Sequence, residues 1–208
     1  MKICAISPFV SASKEEILEF LNGCNNDLVV LPGNYKNHPS YKDVVKVLNP
    51  GISAFVETGD GKGDSIPWLV SVTRQIMMPR QIFGTSDPTA GDMDDLQKKW
   101  KKRTHTICDR SVSFAICGEI NAFNVDTSIK KNRYLPYDVL VNPAHTVMGR
   151  WNYLKPKLEN LSENTAVVHV ANNDRNHHKL TTDVRIYVNG DLMQGYYSGN
   201  IGWSECEI

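Results

Sequence analysis

A chain of 208 residues is the size of one substantial domain. Its 23 Lys and Arg offset 23 Asp and Glu, so no global field draws it to a polyanion or an anionic bilayer. With 41% apolar and 22% charged residues it has enough hydrophobic side chains to fill a core, which excludes a disordered, collagen-like or coiled-coil chain.

The opening "MKICAISPFVSASKEE" has the outline of a short signal peptide, but Pro8 and the brief apolar run argue against that, and an alternating first strand accounts for Ile3 and Ala5. Ser13 and Glu16 stand at capping-box spacing before a stripe of Ile17, Leu18, Phe20 and Leu21, which predicts a helix that Gly23 ends. The run "DLVVL" reads as a central strand stopped by Pro32 and Gly33. Ser40 and Asp43 repeat the cap spacing, and "NPG" closes that helix before the strand "ISAFVE", giving a βαβαβ start. The Gly-rich 59–64 lacks phosphate-loop spacing and predicts a hairpin turn into "WLVSV". The segment "RQIMMPRQIF" reads as a further strand broken by Pro79, completing an antiparallel meander.

A helix is expected over 92–99, acidic at its start (Asp92, Asp94, Asp95) and basic at its end (Lys98, Lys99), as the helix dipole favours. It leads into "KKWKKR", the one cationic cluster, where Trp100 among cations suggests a nucleic-acid footprint and a solvated helix end is the simpler reading. "SVSFAIC" alternates Val112, Phe114 and Ile116 and runs into a turn at Cys117 and Gly118. "YDVLVNP" predicts a strand, 150–161 a helix interrupted by Pro156, and "TAVVHVAN" a buried strand. "DVRIYV", Asn189-Gly190 and "DLMQGYY" predict a hairpin with a type I′ turn.

No apolar run reaches the ~18 residues of a membrane helix, so no membrane span is expected. Cys4, Cys24, Cys108, Cys117 and Cys206 are an odd, scattered set without a CxxC pair, which suggests neither a disulfide framework nor a zinc site and makes a reducing cytoplasm the expected location. Asp174, His177 and His178 lack metal-ligand spacing, so no metal or other cofactor is expected. A cysteine at a strand end followed by glycine is a different matter. The sharp turn presents the sulfur while the next amide can face an oxyanion, so Cys117 is the candidate nucleophile and Gly118 the candidate oxyanion donor.

The ordered set "DLVVLP", "FAICGEINAF", "DVLVNPAH" and "ENTAVVHVAN" resembles the nitrilase, or carbon–nitrogen hydrolase, superfamily. Ile116 to Glu119 match the segment that carries the family's cysteine, Asp138 to Pro143 its "DLIVNP" strand, and Glu163 and Asn164 its "EN". The resemblance implies an α/β fold, a four-layer α-β-β-α sandwich, and a homodimer formed through a helical layer. It also implies thiol attack on an amide or nitrile, with a Glu as base and a Lys on the tetrahedral intermediate. Gly33 occupies the place of that Glu, and Arg80 and Gln81 lie nearest that of the Lys, with Lys102 or Arg103 as alternatives. Glu57, Glu119 and His145 are the residues that could restore the chemistry, His145 by forming a Cys/His dyad. Glu119 also has a structural reading, as a carboxylate bonding the turn backbone or a cation. Tyr35, His145 and Glu57, with Gly118, are the expected substrate contacts, and Tyr35 and His145 the expected pocket mouth.

Two functions follow. One is a thiol hydrolase of a small amide or other C–N bond, with Cys117 as nucleophile. The other is a silent domain of the same fold that binds a small ligand or a protein partner, motivated by Gly33 and Gln81. Nucleic-acid binding through 98–103 ranks last.

Overall fold

The computed structural model describes residues 1–9, 11–33, 38–59, 65–145, 151–172 and 183–208. Strand β1 (Lys2–Pro8) leads to helix α1 (Lys14–Gly23), where the Ser13 hydroxyl accepts from the Glu16 amide and the Glu16 carboxylate accepts from the Ser13 amide. Strand β2 (Leu28–Val30), helix α2 (Tyr41–Val47) with the same reciprocal cap between Ser40 and Asp43, and strand β3 (Ser53–Thr58) complete the expected start. β1, β2 and β3 run parallel. The antiparallel strands β4 (Ile66–Val70) and β5 (Gln75–Met77) extend the sheet beyond β3, so the flanks of the Gly-rich segment pair as a hairpin requires, although 60–64 lie outside the described residues. β5 stops at Met77, short of the strand expected through Phe83, because Pro79 has no amide to donate to a ladder.

Helix α3 (Ala90–Trp100) starts two residues earlier than the acidic turn suggests, at a cap formed by Thr89 and Asp92. Strands β6 (Thr104–Ile107) and β7 (Arg110–Phe114) form a hairpin whose turn residues Cys108 and Asp109 have φ of 46° and 63°. They are followed by β8 (Val139–Ala144), helix α4 (Trp151–Leu161), which continues through Pro156, and β9 (Ala166–Ala171). β10 (Val184–Val188) and β11 (Asp191–Leu192) meet at Asn189 and Gly190, both at positive φ as a type I′ turn needs. "DLMQGYY" is not a single strand. After Leu192 the chain crosses to the other sheet, where β12 (Gly195–Ser198) pairs with β13 (Ile201–Glu207), a strand whose mixed polar sequence concealed it.

Two sheets result, ordered β12-β13-β1-β2-β3-β4-β5 and β11-β10-β9-β8-β7-β6. Their inner faces enclose Ile3, Leu28, Val30 and Phe55 from the first sheet and Phe114, Val139, Val141 and Val168 from the second. The rings of Phe55 and Phe114 stack across the interface at 5.3 Å. On the first sheet's outer face, α1 and α2 bury Ile17, Leu21 and Val44 against Ile6, Val29 and Val56. On the second, α3 and α4 bury Met93, Leu96, Leu154 and Leu158 against Leu140 and Val167. The architecture is therefore the expected four-layer α-β-β-α sandwich. Trp100 belongs to that outer core, its indole donating to the Pro136 carbonyl at 2.8 Å, so the aromatic of "KKWKKR" is not on the surface. No helix of the described residues is long and apolar enough to cross a membrane.

Candidate active site

Parallel strands deliver their C-terminal ends to one edge of a sheet, where open α/β folds place their sites. Here Gly33 follows β2, Glu57 is near the end of β3, Cys117 follows β7, His145 follows β8 and Asn172 follows β9.

Cys117 opens a 3-10 helix (Cys117–Ala122) with φ of 49°, a left-handed conformation that non-glycine residues seldom adopt and that turns its half-buried side chain out of the strand. Two buried polar side chains, Asn142 and Glu119, hold this turn. The Asn142 amide donates to the Ala115 carbonyl at 2.5 Å and the Cys117 carbonyl at 2.9 Å. Its oxygen accepts from His169 Nδ1 at 2.7 Å, and burial holds that imidazole down to about 3, so it is the neutral, single-donor form. Glu119, fully buried, accepts from the Ile116 amide at 2.9 Å, the Ile82 amide at 2.6 Å and the Arg103 guanidinium. Burial pushes the Glu119 carboxyl up while Arg103 pulls it back. Glu119 was expected as a catalytic candidate beside Cys117. Its described bonds run instead to the turn backbone and a cation, tying residues 80–84 to the cysteine turn.

Gly118 lies against Gly84, and a Cβ there would meet the Gly84 Cα at 2.5 Å and carbonyl oxygen at 2.7 Å, so the backbone approach requires glycine. Arg80 is exposed and its carbonyl accepts from Arg103. The Gln81 amide donates to the Phe83 carbonyl at 2.8 Å.

Gly33 is where the sequence signalled a loss, and the structure shows what fills the space. A Cβ at position 33 would fall on Cδ2 of His145 and 2.9 Å from the His145 amide. The imidazole lies over the bare backbone, with Nε2 2.7 Å from Oε2 of Glu57. Glu57 is almost wholly buried and also accepts from the Ser65 hydroxyl at 3.3 Å. Cys117 is the other group that acts on this imidazole. Cys117 first, and the bond with Glu57 second, lift His145 to about 10 against the opposing effect of burial.

Asn172 secures this arrangement. Its amide donates to the carbonyls of Gly33, at 2.6 Å, and His145, at 2.8 Å, while Gly33 donates to the Ala144 carbonyl at 3.0 Å. His38 stands near Glu57 and Asn172, with burial holding it down to about 4. Three sequence candidates, Cys117, His145 and Glu57, are thus brought together. Tyr35 lies outside the described residues, as do Asp174, His177 and His178. Arg103, an alternative for the family's lysine, is instead fully buried against Glu119. Asn142, Asn172 and His169 were not singled out for a role. Their signal was the asparagine at or beyond the end of each of two buried apolar runs, where a polar side chain needs several partners.

The α-β-β-α sandwich matches the fold of solved nitrilase, or CN-hydrolase, superfamily structures. The sequence matches no family profile and no curated protein. Among solved structures, the chain is similar to a CN-hydrolase superfamily protein from Xanthomonas campestris with an arsenic adduct in its active site. The TM-score is 0.61 at 12% identity, covering 100% of this chain and 91% of that one. An amidase from Nesterenkonia sp. AN1, showing Michael addition of acrylamide at its active-site cysteine, matches with a TM-score of 0.57 at 10% identity over 100% and 93% of the two chains. The glutamine-dependent NAD+ synthetase from Acinetobacter baumannii matches at 0.59 and 11% identity over 100% of this chain and 46% of its own. At these identities the likeness is one of fold.

Proposed function

We propose that the protein is a thiol-dependent hydrolase of a small amide or other C–N bond, with Cys117 as nucleophile, His145 as proton carrier and Glu57 orienting the imidazole. The observation that carries this reading is the position of His145, bonded to Glu57 in the space left open by Gly33 and influenced by the neighbouring Cys117.

A histidine held by a buried carboxylate and facing a cysteine is the arrangement that activates a thiol nucleophile. With the resting His145 imidazolium already holding the proton, Cys117 attacks the carbonyl carbon as the thiolate of a thiolate–imidazolium pair. The oxyanion that forms is stabilised by the Gly118 amide, at a turn fixed by Asn142 and Glu119. The His145 imidazolium then protonates the departing amine, the C–N bond breaks and an S-acyl enzyme remains. Neutral His145 next removes a proton from water, which attacks the thioester and releases the acid. Glu57 keeps the ring oriented and balances its charge throughout. Arg80, nearest in sequence to the place of the family's lysine, is the cation assigned to the negative edge of the substrate.

The test is intact-protein mass spectrometry of the chain with small amide substrates. An acyl adduct on Cys117, lost in Cys117→Ala and at least about a hundredfold slower to form in His145→Ala, supports the reading. A Cys117 that takes up no acyl group from any amide while the fold is intact overturns it. The silent-domain alternative retains one motive, Gln81, whose amide is spent on the backbone at the place expected for a lysine. It predicts ligand binding unchanged in Cys117→Ala and altered in His145→Ala.

A further inference from the structure

Helix α1 and the β12–β13 hairpin border a surface groove of about 780 Å³ that shares no lining residue with the Cys117 site. Phe20, from α1, and Trp203, from β13, meet in it with ring centroids 5.4 Å apart. Glu16 and Glu19 line it from α1 and Glu205 from β13, against one cation, Lys2. Asn26, 9% exposed, also lines it, and its side-chain amide has no hydrogen-bond partner among the described residues. The polar atoms of that amide are not sealed in the core, so they open on the groove. A polar side chain so deeply buried costs stability until something bonds to it. We propose that the groove binds a small primary alkylammonium ligand, its ammonium hydrogens on the Asn26 oxygen and the carboxylates and its alkyl stem on Trp203 and Phe20.

The lining selects the ligand class. The charges of the whole chain cancel, yet here three carboxylates face one ammonium, so the local field favours a cation. The Glu16 carboxylate is held in place by the Ser13 amide at 2.7 Å and the Asn200 side-chain amide at 2.9 Å. Glu19 is exposed and makes no ion pair among the described residues, so its charge is available to a ligand. A bare metal ion is poorly served, because among the described residues no three acidic, His or Cys side chains are gathered to hold one. The rings of Phe20 and Trp203 suit instead a cation with an apolar body, since an ammonium is attracted to an aromatic face and methylene groups pack against it. A primary ammonium fits better than a quaternary one. Its three N–H hydrogens can serve the Asn26 oxygen and the carboxylates together, whereas a methylated nitrogen has none to give.

The test is a titration of the protein with n-butylammonium chloride, followed by NMR through the Trp203 indole N–H and the Asn26 side-chain amide. Those resonances are assigned by their loss in Trp203→Phe and Asn26→Ala. 1-Butanol, sodium chloride and tetramethylammonium chloride at the same concentrations are the controls. Saturable shifts at both resonances are expected with n-butylammonium, none with 1-butanol or sodium chloride, and weaker binding with tetramethylammonium. In the double variant Glu19→Gln, Glu205→Gln, whose exposed substitutions leave the circular-dichroism spectrum unchanged, affinity should fall about fivefold or more. Equal shifts from 1-butanol, or an affinity unchanged in the double variant, would overturn the proposal. Shifts confined to residues around Cys117 would do the same, and would place the amine in the other site.

Discussion

Position 33 and residue 145 form one unit: the absence of a side chain on the first admits the imidazole of the second. Gly33→Ala therefore displaces His145, because the new methyl needs the volume of Cδ2. A shift of about 1 Å at a reacting group costs about a hundredfold in rate. Acylation of Cys117 by an amide should fall by that order in Gly33→Ala while the circular-dichroism spectrum is kept. An unchanged rate would separate the glycine from the chemistry. Glu119 gives the complementary case. Its carboxylate serves the Ile116 and Ile82 amides and Arg103, so Glu119→Gln should lower stability and leave the acylation chemistry of the folded fraction largely intact. An acylation rate abolished in a fully folded Glu119→Gln protein would instead make it the base. In the sequence Cys117 stood out through its strand-end setting. Glu57 and His145 could be named as possible rescuers but not paired, because residues 57, 117 and 145 meet only through the convergence of strands from two sheets.

At the scale of elements, the site depends on strand ends held by buried polar side chains. Asn142 satisfies two carbonyls and one imidazole N–H at the cysteine turn, and its loss strands all three. Each unsatisfied buried group costs about 1–3 kcal/mol, so Asn142→Ala should lower unfolding free energy by about 3 kcal/mol or more in urea titrations. Breaking the fully buried Arg103–Glu119 pair from the Arg side, as in Arg103→Ala, should cost about 3–5 kcal/mol, because it leaves a charge uncompensated. The starts of α1 and α2 were readable because a capping box is local, with both partners within three residues. Apolar runs such as those of β2, β8 and β9 were readable because both faces of those strands are covered. β12 and β13 were not. β12 is an exposed edge strand, and β13 turns Glu205 and Glu207 to water and buries Ser204 with its hydroxyl on the Gln194 carbonyl, so neither shows a core pattern.

For the whole molecule, three histidines set opposing pH dependences. His169 and His38 have folded values of about 3 and 4 against 6.5 when exposed. As pH falls below 6.5 the unfolded chain takes up protons that the folded chain refuses, so stability declines toward those values. His145 behaves oppositely. Its stabilising contribution, raised to about 10, is fully present below 6.5 and is lost as pH rises through 10. The thermal midpoint should therefore peak near pH 6.5, with His145→Gln flattening the alkaline limb; a midpoint that falls equally between pH 7 and 10 in that variant would contradict the assigned charge. All of this bears on one claim, that His145 serves the sulfur of Cys117. The most direct measurement is the rate of S-acyl formation on Cys117 from a reactive small amide, followed by intact mass in the wild-type chain, Cys117→Ala and His145→Ala. The account predicts an adduct in the first, none in the second and at least about a hundredfold slower formation in the third. Equal rates in wild type and His145→Ala would contradict it.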